Sequence, residues 1–168
     1  MKQGFFHRRV IEPILNLLRQ GITPEKVALS IAFGIALGVF PVIGATTLLC
    51  ALAAVVLRLN LPAIQLVNYF VYPLQIALLL PFIRFGEVIF RVRDPLPFSI
   101  TQILQMISTD VGNAISTLWT STIHAIVAWC LVGPPAVLLL YVILAPVLRR
   151  MSALYHVARA KSSAGATQ

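Results

Sequence analysis

Gln65, Asn68, Tyr72 and Gln75 recur at steps of three, four and three residues, which on a helix places all four side chains on one stripe. Asn113, Ser116 or Thr117, Thr120 and His124 form a second stripe of the same kind. Both lie within apolar runs. An unpaired polar group in hydrocarbon is costly, so these faces either hydrogen-bond between helices or line a hydrated path for a solute or a lipid headgroup. His124 has the chemistry to relay protons, although a lone imidazole among hydroxyls is more commonly a hydrogen-bonded structural group.

A third constellation is the stretch "LGVFPVIGATT", Leu37 to Thr47. Pro41 removes a backbone donor and clashes with the preceding helical turn, and Gly44 permits a backbone turn that other residues resist. A new helix starting near Ala45 would aim its free N–H groups, with the hydroxyls of Thr46 and Thr47, at the break. Such an end attracts anionic groups, and half-helix ends at mid-membrane bind substrate in several transporter folds. A kink that serves packing alone is the competing explanation. Arg58 and Asn60, at the turn that follows, complete the candidate binding set of Pro41, Gly44, Thr46, Thr47, Arg58, Asn60, Gln65, Asn68, Gln75 and His124.

Signs of catalysis are weak. The chain offers no acidic pair in a polar setting, no cluster of histidines and carboxylates for a metal, no glycine-rich nucleotide loop and no nucleophile elbow. The residues weigh against an enzyme without deciding the matter, and they call for no cofactor and no metal. Cys50 and Cys130 lie in separate apolar segments, where buried, inert thiols are expected.

These residues need elements that hold them in an apolar medium. Of 168 residues, 59% are hydrophobic and 11% charged, with a mean hydropathy of +0.91, a composition outside that of soluble domains. The expected class is therefore all-α, a polytopic helical membrane protein with about four crossings. The apolar run from 27 to 57 would measure about 46 Å as one helix, too long for a core of about 30 Å, so it is either a broken crossing or a re-entrant hairpin. Further spans are expected at 61–83, 111–131 and 134–148, the last two parted by "GPP" at Gly133 to Pro135. Together 27–148 forms one transmembrane domain. Residues 1–26 suit a basic interfacial segment, 99–107 a second interfacial helix, and 149–168 a basic tail disordered at its end.

Local chemistry sharpens two helix starts. Thr23, Pro24 and Glu25 supply an N-cap, a first-turn proline and a first-turn acid; Asn60 and Pro62 repeat the first two. Ser30, Gly34 and Gly38 recur every fourth residue, a packing face for another helix in the same chain or in a second copy.

The net charge of +8 is carried outside the apolar runs, which speaks for topology and against nucleic acid. Placing the groups around Lys26, Arg84 to Arg93 and Arg149 in the cytoplasm leaves Arg58 alone on the far side, with both termini cytoplasmic.

"GITPEKVALSIAFGIALGVFPVIGATT" followed by "LRLN", "VYPLQ" and "RFGE" resembles the bacterial domain-of-unknown-function 2062 family across about residues 8 to 95. The resemblance implies a small bacterial inner-membrane protein of unassigned activity. Some members look fused to glycosyltransferase-type domains, which points towards envelope glycans or their lipid carriers. The expectation is an inner-membrane protein that binds or translocates an anionic amphiphile or small solute, with membrane lipid as its partner. The alternative is a non-transporting adaptor, homo-oligomeric or docked through its small-residue face to an envelope enzyme.

Overall fold

The computed structural model describes residues 22–93, 101, 105 and 108–165, with side chains through residue 153. The expected segment before residue 22, and all of 99–107 except 101 and 105, lie outside the described residues. The architecture is all-helical: α1 (Pro24–Gly38), α2 (Ala45–Val56), α3 (Leu61–Ile89) and α4 (Val111–Gly165).

The starts of α1 and α3 follow from local chemistry. The Thr23 hydroxyl accepts from the Lys26 N–H at 3.4 Å, and the Asn60 carbonyl Oδ1 accepts from the Ala63 N–H at 2.8 Å. α1 stops at Gly38, three residues before Pro41. The chain turns through Gly44, at φ +90°, and α2 begins at Ala45, as expected. α1 and α2 have 15 and 12 residues, about 22 Å and 18 Å, so neither alone covers a bilayer core.

Side-chain contacts give the direction of each element. Ser30 receives the Asn60 N–H at 3.1 Å, Gly34 lies against Ile64 and Val67, Gly38 against Asn68 and Val71, and Gln75 reaches Phe40. α3 therefore runs parallel to α1. Between them α2 returns: Cys50 and Ala54 pack on Ile64, and the residues after α2 lie beside Ile22, Thr23 and Lys26. The run from 24 to 56 thus doubles back, with both ends at one end of the molecule. α4 runs opposite to α3, its His124 at Gly86 and Phe90, its Trp129 at Phe40, and its Ala145 and Leu148 at Val27 and Ala28.

Among the described residues two helices are long and apolar enough to cross a membrane, Leu61–Ile89 and the Val111–Ala153 part of α4. Three expectations change here. α4 passes through Pro134, Pro135 and Pro146 without ending, so the division expected at "GPP" is absent. The small Gly133 sits under the Trp129 indole, close enough that a Cβ there would stand 3.0 Å from the ring. Helical backbone also continues from Arg149 to Gly165, where the sequence holds no glycine or proline before the last of these. α3 runs to Ile89, past residue 83 where the second span was expected to end.

The grouping of charges changes as well. Because the chain doubles back, Arg58 lies with Lys26, and Arg149 pairs with Glu25 at 2.6 Å, all at the foot of the bundle. Arg84 and Arg91 lie at the opposite end, beside His124 and Phe90. Cys50 is buried as expected, but Cys130 is exposed on the outer side of α4.

Candidate functional site

The break is held by side chains that satisfy its carbonyls. In a regular helix the Phe40 N–H would bond to the Ala36 carbonyl; here it donates to Leu37 at 3.1 Å, and the Ala36 carbonyl receives the Trp129 Nε1–H at 2.9 Å. Phe40 then meets the same indole edge-on, with ring centroids 5.0 Å apart. Gln75, 1% exposed, donates through Nε2 to the Phe40 carbonyl at 2.9 Å and reaches the Val42 carbonyl at 3.5 Å. Gln65 donates to the Thr47 carbonyl at 2.9 Å and accepts from Asn68 at 3.4 Å. The stripe on α3 is thus bound to the hairpin, whereas Tyr72 of that same stripe is exposed.

The remaining residues of the break divide between interior and surface. Pro41 and Thr46 are buried, whereas Gly44 and Thr47 face outward with Ile43 and Leu48. The start of α2 therefore has an outward-facing side at the tip of the hairpin. Ser30, Gly34 and Gly38 are buried against α3 within the chain; a Cβ on Gly34 would stand 2.8 Å from Val67 Cβ and 2.9 Å from the Ile64 carbonyl oxygen. Ser30 both donates to the Lys26 carbonyl and accepts from Asn60, fixing the foot of the hairpin to the start of α3.

Arg58 and Asn60 are brought together, but at the foot and not at the break. With Ile22, Thr23, Lys26 and Leu59 they line a cavity of about 250 Å³. Lys26 comes from the first turn of α1 and Arg58 from beyond the end of α2, 32 positions later, so the doubling-back places two cations on one polar hollow. Next to Lys26 on the same side of α1, at i+3 and i+7, are Leu29 and Phe33. These two lead into an apolar groove of about 410 Å³ between α1 and α4, bordered by Trp129, Pro134, Val137 and Leu138. Glu25, beside the hollow, is held below the ordinary carboxylate value by its own backbone N–H and then by Arg149.

His124 belongs elsewhere. Its ring stacks on Phe90 with centroids 4.4 Å apart, and it borders a second hollow of about 220 Å³ with Glu87, Thr120 and Ser121. Glu87 is buried on α3 and paired with Arg84. Sequence reasoning missed Trp129, Lys26 and Gly86. The signal for Gly86 was the missing side chain in "RFGE": a Cβ there would stand 2.3 Å from the His124 carbonyl oxygen. Among the described residues no group of three or more histidines, cysteines and carboxylates is placed to hold a metal.

Searches of the curated proteins and of the solved structures give no match to this chain. A bacterial family does match, described as "uncharacterized protein conserved in bacteria (DUF2062)", and its pattern extends over residues 7–156, well past the 8–95 on which the sequence resemblance rests. Since that span takes in the hairpin, both long helices and both hollows, the chain belongs to the DUF2062 family.

Proposed function

We propose that this protein is a multi-pass protein of the bacterial inner membrane that binds an anionic amphiphile at its cytoplasmic face. α3 and α4 make two crossings, and the α1–α2 hairpin is re-entrant. Its tip is level with Gln75, about 22 Å along α3 from Asn60, within a hydrocarbon core of about 30 Å. Irregular backbone at that depth persists only where protein satisfies it. Gln65, Gln75 and Trp129 do so.

Orientation rests on charge. Ten of the thirteen lysines and arginines lie at the foot or in the segments that lead to and from it; Arg84, Arg91 and Arg93 lie at the other end. The positive-inside tendency puts the foot, and with it both termini, in the cytoplasm.

The observation that carries the binding reading is the meeting of Lys26 and Arg58 on one polar hollow, a helical turn from an apolar groove. The cations and the hydrogen-bonding Thr23 and Asn60 suit an anionic headgroup, and the groove suits its chain. Cations at a membrane surface each contribute about 1 kcal/mol towards anionic lipid, so the pair supplies roughly 2 kcal/mol. The small-residue face that an adaptor would use is filled by α3 within the chain, which favours binding over docking.

The test is lipid binding by the full chain in detergent. Phosphatidylglycerol should bind in preference to phosphatidylcholine, and Lys26→Ala with Arg58→Ala should weaken it by about 30-fold, the equivalent of those 2 kcal/mol. Equal affinity for the two lipids in the unmodified protein would refute the proposal.

A further inference from the structure

α2 and α3 end alike. Val55–Val56–Leu57–Arg58–Leu59 closes the first and Val88–Ile89–Phe90–Arg91–Val92 the second. In both, the arginine stands one position past the C-cap and donates its N–H three residues back, Arg58 to Val55 at 3.3 Å and Arg91 to Val88 at 3.2 Å. The next residue donates five back, Leu59 to Ala54 at 2.9 Å and Val92 to Glu87 at 3.0 Å. This paired pattern requires a left-handed residue at the arginine, a place usually held by glycine. Arg58 has φ 52° and Arg91 φ 50°, and among the described residues no other non-glycine residue has positive φ.

A large side chain is thus kept, twice, where the backbone favours none. Both arginines are exposed, and they stand at opposite ends of the bundle. Arg58 borders the hollow with Lys26, and Arg91 a hollow of about 290 Å³ with Arg84, Glu87, Val88 and Val92. Arg84 engages Glu87 there, so the net positive charge of that hollow is that of Arg91. Exposed apolar side chains flank both positions, Leu57 and Leu61 near one, Val88 and Phe90 near the other.

We infer that Arg58 and Arg91 are phosphate ligands, one at each face of the membrane, each clasping the phosphodiester of an anionic lipid. A guanidinium presents two parallel N–H groups that match two phosphate oxygens. For Arg58 this rests on the amphiphile-binding reading and gives its headgroup; Arg91 adds a second leaflet. The apolar flanks point to a lipid phosphate over a free one.

Glycine separates ligand from scaffold, because Arg58→Gly and Arg91→Gly relieve the backbone while removing the guanidinium. The full chain in mild detergent is titrated with phosphatidylglycerol and read by native mass spectrometry, with phosphatidylcholine and inorganic phosphate as parallel arms. The unmodified protein should retain two phosphatidylglycerol molecules. Each glycine variant should lose one, through at least a tenfold fall in affinity, with a thermal midpoint equal to or above that of the parent. Retention of both lipids by the glycine variants overturns the inference. So does loss of lipid with a lowered midpoint that lysine restores, since cations near a helix C-terminus also stabilise its dipole. Displacement by equimolar inorganic phosphate overturns the lipid assignment. Loss in Arg58→Gly but not in Arg91→Gly overturns the two-face arrangement and leaves the cytoplasmic site standing, whereas no retained phosphatidylglycerol in the parent overturns both readings.

Discussion

Gln75 shows how one side chain can replace the hydrogen bonds that a broken helix loses. It is buried, and its amide nitrogen serves two carbonyls of the break beside the short turn bonds that the Val42 and Ala45 N–H groups make to them. Gln75→Leu keeps the bulk and removes the donor, so the Phe40 carbonyl keeps only the Val42 N–H; unfolding in detergent should show a loss of about 0.5–1.5 kcal/mol. The sequence marked Gln75 as an inward-facing amide because hydrocarbon forces that conclusion, but did not indicate what it would bond. Trp129 could not be identified at all, because its indole partner, Ala36, is 93 positions away. Caps were legible for the opposite reason: Thr23 and Asn60 bond three residues away. Glu25 yields a pH prediction. Its folded pKa is depressed, so the stability it lends is present above its unfolded value and is lost as pH falls through the folded one. Acid titration of unfolding should show this loss below the ordinary carboxylate range, and Glu25→Gln should abolish that component.

Elements meet at glycines, and three of them separate steric from conformational cost. Gly86 and Gly34 face backbone and branched side chains at less than 3.0 Å, whereas a Cβ on Gly44 would touch nothing. Gly86→Ala must push α3 from α4 and should cost about 1–3 kcal/mol as an overpacked contact, or more because His124 backbone resists movement. Gly44→Ala should cost about 1–2 kcal/mol from its left-handed φ alone and leave the contacts unchanged. Thermal midpoints of the three variants, with Gly34→Ala grouped beside Gly86→Ala, check the distinction. The ends of α1 and α2 were legible because Pro41 and Gly44 act locally. The continuity of α4 was not. "GPP" reads as a turn in water, but a helix bordered by others tolerates such prolines when neighbouring groups take over the freed carbonyls.

For the whole molecule, hydropathy pointed to helices long and apolar enough to cross a membrane, and the path of the chain regrouped the charges at their ends. A single kinked crossing would put Arg58 far from Lys26; the fold-back puts them together and sends Arg91 to the other end. In cells carrying a cysteine-free parent, single cysteines at Arg58 and Arg149 should react with an impermeant maleimide only from the cytoplasmic side, and one at Arg91 only from outside. Labelling of the Arg58 and Arg91 positions from one side would remove the two-crossing arrangement.

The hairpin also sets how the width of the bundle changes along its length. Four helices share the half of the bundle at the foot, whereas α3 and α4 alone continue beyond the tip at Phe40 to Gly44. With each helix about 10 Å wide, the bundle has roughly twice the cross-section at the foot that it has beyond the tip. It is a wedge, broad at the foot. In the membrane placement proposed above, such a body relieves packing stress where the surface at its broad end is convex, and so prefers membranes curved in that sense.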